Sequence, residues 1–184
     1  MAGSTGEPIG PFPEGVSPEE YDKLRRRVLW KMPSGLYLLG SAGIWQGSFK
    51  RQLMTLNWAT QLSFDPKLVG VGVEHGAVTH DLISAGNAFS LCILAREDRA
   101  IVRRFVKPVE DDDGAAMNGF PVFSRRTGAP ILTQAVAWLD CEVRQAVETG
   151  GHTLFVGEVV DCGFGADEAT EVLRMEDTRM NYGG

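Results

Sequence analysis

The chain is poor in the residues that usually announce a chemistry. Its 184 residues include three cysteines and three histidines. Cys92, Cys141 and Cys162 form no Cys-x-x-Cys pair, and an odd number gives no disulfide framework. Each sits in an apolar strand-like run and reads as a buried, reduced thiol. No Gly-x-Gly-x-x-Gly fingerprint marks a nicotinamide-binding fold. The acidic stretch Glu110-Asp111-Asp112-Asp113-Gly114 lacks metal-ligand spacing, so it reads as a loop and no metal site is expected. No apolar run is long enough to cross a bilayer, and the first residues carry no basic segment followed by an apolar one. The expectation is a cytoplasmic protein without membrane contact. Positive charge is in deficit too. With 18 Lys and Arg against 24 Asp and Glu, the formal charge is -6, which argues against a nucleic-acid partner. The clusters Arg25-Arg26-Arg27, Arg103-Arg104 and Arg125-Arg126 read as solvated faces.

What is present describes a globular domain. Hydrophobic residues make up 43% of the chain, enough for a substantial core. Residues 1–16, rich in Gly, Pro and Ser, read as a flexible N-terminal arm, and residues 17–184 as a single domain with an irregular C-terminal tail ending Asn181-Tyr182-Gly183-Gly184. Ser17-Pro18-Glu19-Glu20 opens a helix that runs to about Lys31. Strands then dominate. Leu36 to Gly40 and Ile44 to Phe49 make a hairpin across Ser41-Ala42-Gly43, and Leu68-Val69-Gly70-Val71-Gly72-Val73 is a strand with one nearly bare face. Thr79 is read as the cap of a short helix from His80 to Ala85. Ala88 to Leu94 is a buried strand and Arg96 to Phe105 a second short helix. In the next strand Ala135, Ala137, Leu139, Cys141 and Val143 alternate inward against Trp138, Asp140 and Glu142. His152 to Cys162 returns across the turn Thr149-Gly150-Gly151. The fold class is mainly β, an antiparallel barrel of Greek-key type with short helices.

One stretch stands out. In Met54 to Ser63, Met54, Leu56, Trp58, Thr60 and Leu62 alternate on one side and are nearly all apolar. Thr55, Asn57, Ala59, Gln61 and Ser63 alternate on the other, all small or amide-bearing and none charged. Two readings fit: a strand packed under another part of the chain, or a surface for a flat ligand rich in hydrogen-bonding groups.

The run Met54-Thr55-Leu56-Asn57-Trp58-Ala59-Thr60-Gln61-Leu62-Ser63, followed by Asp65-Pro66-Lys67-Leu68-Val69, resembles the flavin reductase-like family of FMN-binding split barrels. Thr79 opening a helix, the strand Phe89 to Leu94 and Gly151-His152 before Thr153-Leu154-Phe155-Val156-Gly157-Glu158-Val159 extend the resemblance over roughly Met32 to Cys162. The chain departs from the family where Gly-Asp-His is common, carrying Gly150-Gly151-His152 instead, and where a glutamine is common after Leu94, carrying Glu97 and Asp98.

The resemblance implies an FMN ring lying along Thr55 to Ser63, with Asn57 offering an amide and Ala59 leaving room. Thr55, Thr60 and Ser63 would meet ribityl or phosphate oxygens. Trp58 falls on the opposite face by parity and reads as packing, its backbone remaining a contact candidate. Thr79 and His80 open a helix and are candidates for the phosphate, while Thr79 also reads as an ordinary cap; Lys50 or Arg51 would add charge. His152 is the candidate catalytic residue, placing the nicotinamide or supplying a proton, against the alternative of a turn histidine bonded to loop carbonyls. His75 is assigned to the rim of the site. The implied activity is NAD(P)H:flavin reductase, with FAD as a further substrate, possession of a homodimer with flavin at the interface, and a partner monooxygenase. Trp30, Trp45 and Trp58 are candidates for that interface. The alternatives are an FMN-binding electron carrier of the flavoredoxin kind, reduced by a partner protein, and a split barrel with another cofactor or an interaction role.

Overall fold

A computed structural model describes residues 8–180. They belong to two compact units, Met1–Pro33 with Arg179–Gly184, and Ser34–Thr178. Most of the arm and the final tail expected from sequence, residues 1–7 and 181–184, lie outside the described residues.

The first unit holds α1 (Pro18–Leu29), opened as expected at Ser17, whose hydroxyl accepts the Glu20 N–H at 3.4 Å. Glu19 accepts from the Ser17 hydroxyl at 2.9 Å. Arg25 lies over the Phe12 ring and bonds the Ile9 carbonyl, which ties the preceding segment to the helix.

The second unit is built on β1 (Tyr37–Trp45), β2 (Ser48–Leu56), β3 (Ala59–Ser63), β4 (Leu68–Glu74), α2 (Val78–Gly86), β5 (Ala88–Ile93), β6 (Ala116–Met117), β7 (Phe120–Ser124), β8 (Pro130–Leu132), β9 (Ala137–Glu148) and β10 (His152–Phe164). Seven strands form one antiparallel sheet in the order β2-β1-β5-β9-β10-β4-β3. Its two edge strands, β2 and β3, are joined by Asn57 and Trp58 alone. A flat seven-stranded sheet is about 29 Å wide, whereas three residue steps reach about 11 Å. The sheet therefore has to curl until its edges meet. They meet without pairing, which makes the barrel a split one, mainly β and antiparallel as expected. Leu39, Leu56, Val71, Phe89, Leu91, Cys141 and Phe155 fill its interior.

Several local expectations change. The stretch from Thr55 to Ser63 is not one strand: it breaks at Asn57-Trp58, so its end-to-end parity does not hold. The first hairpin turns at Gln46-Gly47, both with positive φ (49° and 80°), the geometry of a two-residue type I′ turn, and not across Ser41 to Gly43. Arg96 to Phe105 forms two short 3-10 turns instead of a helix. Trp138 and Asp140 are buried although they alternate with the inward residues. The small sheet β6-β7-β8 explains this by covering the outer face of the barrel there: Ser90 bonds the Pro130 carbonyl, and Asp140 accepts the Thr127 N–H at 2.9 Å and its hydroxyl. Gly40 is required under this cover, since a Cβ would lie 2.1 Å from the Pro130 oxygen. Cys92 and Cys141 are buried, and burial pushes both thiols up to about 12, whereas Cys162 is exposed. The acidic loop is a loop, pinned where Asp112 pairs with Arg51.

Candidate functional site

The three histidines, scattered in sequence, gather at one end of the β4–β10 pair. His152 opens β10 opposite Glu74, the last residue of β4. His75 follows Glu74 and donates its backbone N–H to the Gly151 carbonyl at 3.0 Å. His80 sits in the first turn of α2. Successive strand residues point to opposite faces, so His152 and Thr153 look opposite ways.

On the Thr153 face every polar atom at the centre is engaged. Thr153 is buried, and its Oγ1 lies 2.8 Å from His80 Nε2 and 3.1 Å from His75 Nε2. The same hydroxyl donates to Glu148 Oε1 at 2.9 Å, and Glu148 Oε2 stands 2.9 Å from His75 Nε2. A hydroxyl has one proton and two lone pairs, and an ionised carboxylate only accepts. With the Thr153 proton given to Glu148, both histidines have to present Nε2–H. The His75 and His80 rings stand edge to face at 5.1 Å, and His80 backs onto Phe155 at 5.3 Å.

The His152 face is different. Its ring lies against Trp58 with centroids 4.6 Å apart and planes at 51°. His152 Nε2 is shut off from solvent and has no hydrogen-bond partner; Ser41 Oγ is the other such atom among the described residues. The ring is placed from the backbone instead, because the Thr149 N–H and hydroxyl both donate to the His152 carbonyl, at 2.9 and 2.8 Å. Burial lowers the His152 pKa, the nearby Glu74 raises it and His75 lowers it, with the net shift downward. His152 is thus neutral at neutral pH. The carbonyl-bonded turn histidine considered from sequence is not what the ring does: the loop bonds belong to its backbone.

Trp58 is half-exposed and lies over Gly72, where a Cβ would stand 3.4 Å from its Cε3. The Trp58 carbonyl accepts the Gly72 N–H at 2.9 Å. The bare face of β4 is consequently filled from within the chain, by Trp58 at Gly72 and by Leu62 and Leu154 at Gly70. Trp58 is not turned into the core as parity suggested. The break between β2 and β3 frees it to cross the seam.

The remaining candidates divide. Thr55 is committed elsewhere, donating to the Val102 carbonyl at 2.5 Å, and Asn57 is buried at the seam instead of lying on an open polar face. Thr79 is not the cap: α2 starts at Val78 after Ala77, and the Thr79 side chain is buried within the first turn. Arg51 is taken by Asp112, and Lys50 lies over the Trp45 ring at 4.6 Å. Ala59, Thr60 and Ser63 lie along β3, whose outer side has no sheet neighbour. Thr60 is exposed, and Ser63 Oγ accepts the Asp65 N–H at 3.3 Å. The structure therefore brings Trp58 to His152 and leaves Thr55 and Thr79 apart from that surface. Thr153, Glu148 and Glu74 were missed from sequence, and the signal for Thr153 was its place beside His152 on a strand.

The arrangement offers a half-open aromatic surface, a neutral imidazole with an unused nitrogen, and an unpaired sheet edge. No group of three metal-ligating side chains occurs among the described residues. A planar ligand with hydrogen-bonding groups on its rim fits these features, and a nucleophile does not figure in them.

The profile of the flavin reductase like domain matches residues 29–184. The chain is 36% identical over 110 residues to the NADH-dependent flavin reductase StyB of Pseudomonas fluorescens, a match that spans 60% of this chain and 61% of that one. Less than two thirds of that relative is thus covered. A solved NADH:FAD oxidoreductase from Streptomyces globisporus superposes with a TM-score of 0.71 at 28% identity, covering 89% of this chain and 93% of the other. The styrene monooxygenase flavin reductase from Pseudomonas putida superposes with a TM-score of 0.65 at 28% identity, covering 82% and 90%.

Proposed function

The chain belongs to the flavin reductase-like domain family, and from that premise we propose that it is an NAD(P)H:flavin reductase that passes hydride from nicotinamide to flavin. The observation that carries the reading is the unused, inaccessible Nε2 of His152 beside the Trp58 ring at the seam of the barrel. An unsatisfied buried nitrogen costs about 1–3 kcal/mol, and a ligand that pairs with it recovers that cost. Relatives named as NADH-dependent flavin reductases support nicotinamide as the donor.

The residues fit a flavin in part. The outer edge of β3, from Ala59 to Ser63, offers backbone N–H and C=O groups to the polar rim of the ring, and Thr60 adds a hydroxyl. For the phosphate, the buried Thr79 side chain leaves backbone N–H groups in the first turn of α2, beside His80. When bound, flavin supplies the hydride acceptor, so the chain needs no nucleophile of its own. His152, kept neutral, offers Nε2 as a hydrogen-bond partner that orients the incoming donor. FMN is the proposed resident flavin and FAD an alternative substrate.

The proposal extends to a homodimer with flavin at the subunit interface, in the cytoplasm, delivering reduced flavin to a monooxygenase. A solved neighbour named as a monooxygenase flavin reductase supports the last point. No helix among the described residues is long and apolar enough to cross a membrane. The test is an absorbance spectrum of the purified protein with FMN or FAD, followed by anaerobic NADH and NADPH in turn. Bleaching of the flavin band is the expected result. A bound flavin that neither nicotinamide reduces would give the electron-carrier reading, and failure to take up either flavin would sink both.

A further inference from the structure

We propose that the exposed face of the second 3-10 turn, Ile101–Phe105, holds the diphosphate of the incoming nicotinamide dinucleotide through Arg103, Arg104 and Lys107, with Arg99 just before the turn. The proposal deepens the flavin-reductase reading and rests on it for where the nicotinamide ring lies.

The first observation is that these cations are unspent. In the unit Ser34–Thr178 every other arginine pairs with a carboxylate, one of the two other lysines lies over the Trp45 ring, and the other donates to the Phe64 carbonyl. Arg99, Arg103, Arg104 and Lys107 are exposed, and their side chains have no partner among the described residues, although Glu97, Asp98 and Glu110 flank them in sequence. In a chain of formal charge -6, four such cations between residues 99 and 107 make a local positive field.

The second observation is that the turn is fixed. Ile101, Val102 and Phe105 are buried beneath it. The Thr55 hydroxyl donates to the Val102 carbonyl at 2.5 Å, and the Asn118 amide donates to the Arg104 carbonyl at 3.0 Å. The cations therefore project from an anchored backbone.

The third observation is where the turn sits. Leu56, Val73 and Phe155 fill the barrel interior, so Thr55 and Gly72 look outward. His152, one step from the buried Thr153, looks outward too, and Trp58 covers Gly72 from that side. The turn bonded to Thr55 and the Trp58–His152 surface thus share the outside of the barrel, on the two sides of the seam. From Thr55 to Trp58 is three residue steps, about 11 Å at most. A nicotinamide dinucleotide carries its diphosphate one ribose away from the reacting ring, so a ring held at His152 brings the phosphates to the seam. Guanidinium forks match phosphate oxygens two at a time, and Val106, 54% exposed beside them, offers an apolar seat to the adenine. An acidic protein surface would also be drawn to four cations; their place beside the seam favours the dinucleotide.

The experiment compares NADH with 1-benzyl-1,4-dihydronicotinamide, which keeps the reacting ring and has no phosphate, at saturating FMN in the full chain. In the double variant Arg103→Gln/Arg104→Gln the ratio of kcat/KM for NADH to that for the benzyl donor is expected to fall roughly tenfold, the scale of two exposed charge pairs. The loss lies in KM, and Arg103→Lys/Arg104→Lys recovers most of it. Added NaCl is expected to raise the wild-type KM for NADH and to affect the glutamine variant less. An unchanged ratio overturns the proposal and leaves the face to solvent or to an acidic partner protein. A fall in FMN affinity with the ratio intact also overturns it, since the cations would then serve the flavin phosphate. If neither donor is oxidised, the reductase reading falls, and titration with ADP-ribose followed by the arginine side-chain NMR signals decides the site by itself. Binding that the glutamine variant loses upholds the phosphate site, and no binding to the wild type overturns it.

Discussion

Two neighbouring residues of β10 show how differently the fold treats its polar groups. Thr153 faces a closed network in which one hydroxyl proton organises two imidazoles and a carboxylate. His152, one step along the strand, faces an aromatic ring and leaves its Nε2 without a partner. A satisfied buried network rigidifies, and an unsatisfied atom is a cost that a structure without a use for it would shed. The Thr153 face therefore reads as support and the His152 face as the working surface. The support is adjacent to what it steadies, since the backbone that carries one residue carries the other.

Removing each residue separates the two roles. His152→Ala is expected to change stability little, because the packing lost against Trp58 is offset by removal of a buried nitrogen without a partner, and to lower kcat/KM for NADH by about a hundredfold, the scale of rate loss when a reacting group is misplaced. Steady-state kinetics with FMN and a urea unfolding curve measure the two arms. Thr153→Val is expected to do the reverse. It takes the acceptor of the His80 Nε2–H away and leaves His75 and Glu148 only each other, so the urea midpoint falls by the equivalent of about 1–3 kcal/mol, and Thr153→Ser recovers most of it. Equal losses of stability in His152→Ala and Thr153→Val would erase the distinction between the faces.

The same contrast governs what was legible in the sequence. The mainly β class and the run of strands along the chain follow from alternation and turn residues, which are local signals, whereas His152 was singled out through the resemblance alone. The break at Asn57-Trp58 is not local. Alternation runs through it from Met54 to Leu62, yet the two halves belong to opposite edges of the sheet, and only closure of the barrel reveals this. Thr79 looked like a cap because its neighbours suit one, but α2 begins a residue earlier and turns that side chain inward. Asp140 looked outward until β6-β7-β8 folded over it. The histidine cluster lay beyond reach because His75, His80 and Glu148 reach Thr153 from three separate segments. The common cause is that pairing between distant strands decides which polar residues are spent on structure.

Acid sharpens the comparison further. Burial, the largest influence, depresses the folded-state pKa of His152 below its ordinary value. Below about pH 6.5 the unfolded chain binds a proton that the folded chain refuses, so stability rises with pH through the window between the depressed value and the ordinary one. Above that window the contribution is complete. Urea midpoints across this range are expected to fall with acidification in the wild type and to fall less steeply in His152→Asn, which removes the titrating ring. Identical slopes would show that His152 contributes nothing to the pH dependence.

The smallest effect belongs to the pair that closes the acidic loop against β2. Arg51 and Asp112 are both partly buried, and the guanidinium, through hydrogen bonds, is the largest influence holding the Asp112 carboxyl below its usual range. A carboxylate with a depressed folded pKa adds stability above its unfolded value, and that stability is lost as pH falls through the folded one. Arg51→Ala is therefore expected to cost about 0.2–1 kcal/mol near neutrality, and the difference between variant and wild type should shrink as Asp112 protonates. Flavin binding is expected to be unchanged, because this side chain is spent on the loop. If Arg51→Ala weakened FMN binding more than it lowered the urea midpoint, Arg51 would belong to the phosphate site after all, and its contact with Asp112 would be a resting state instead of a structural clasp.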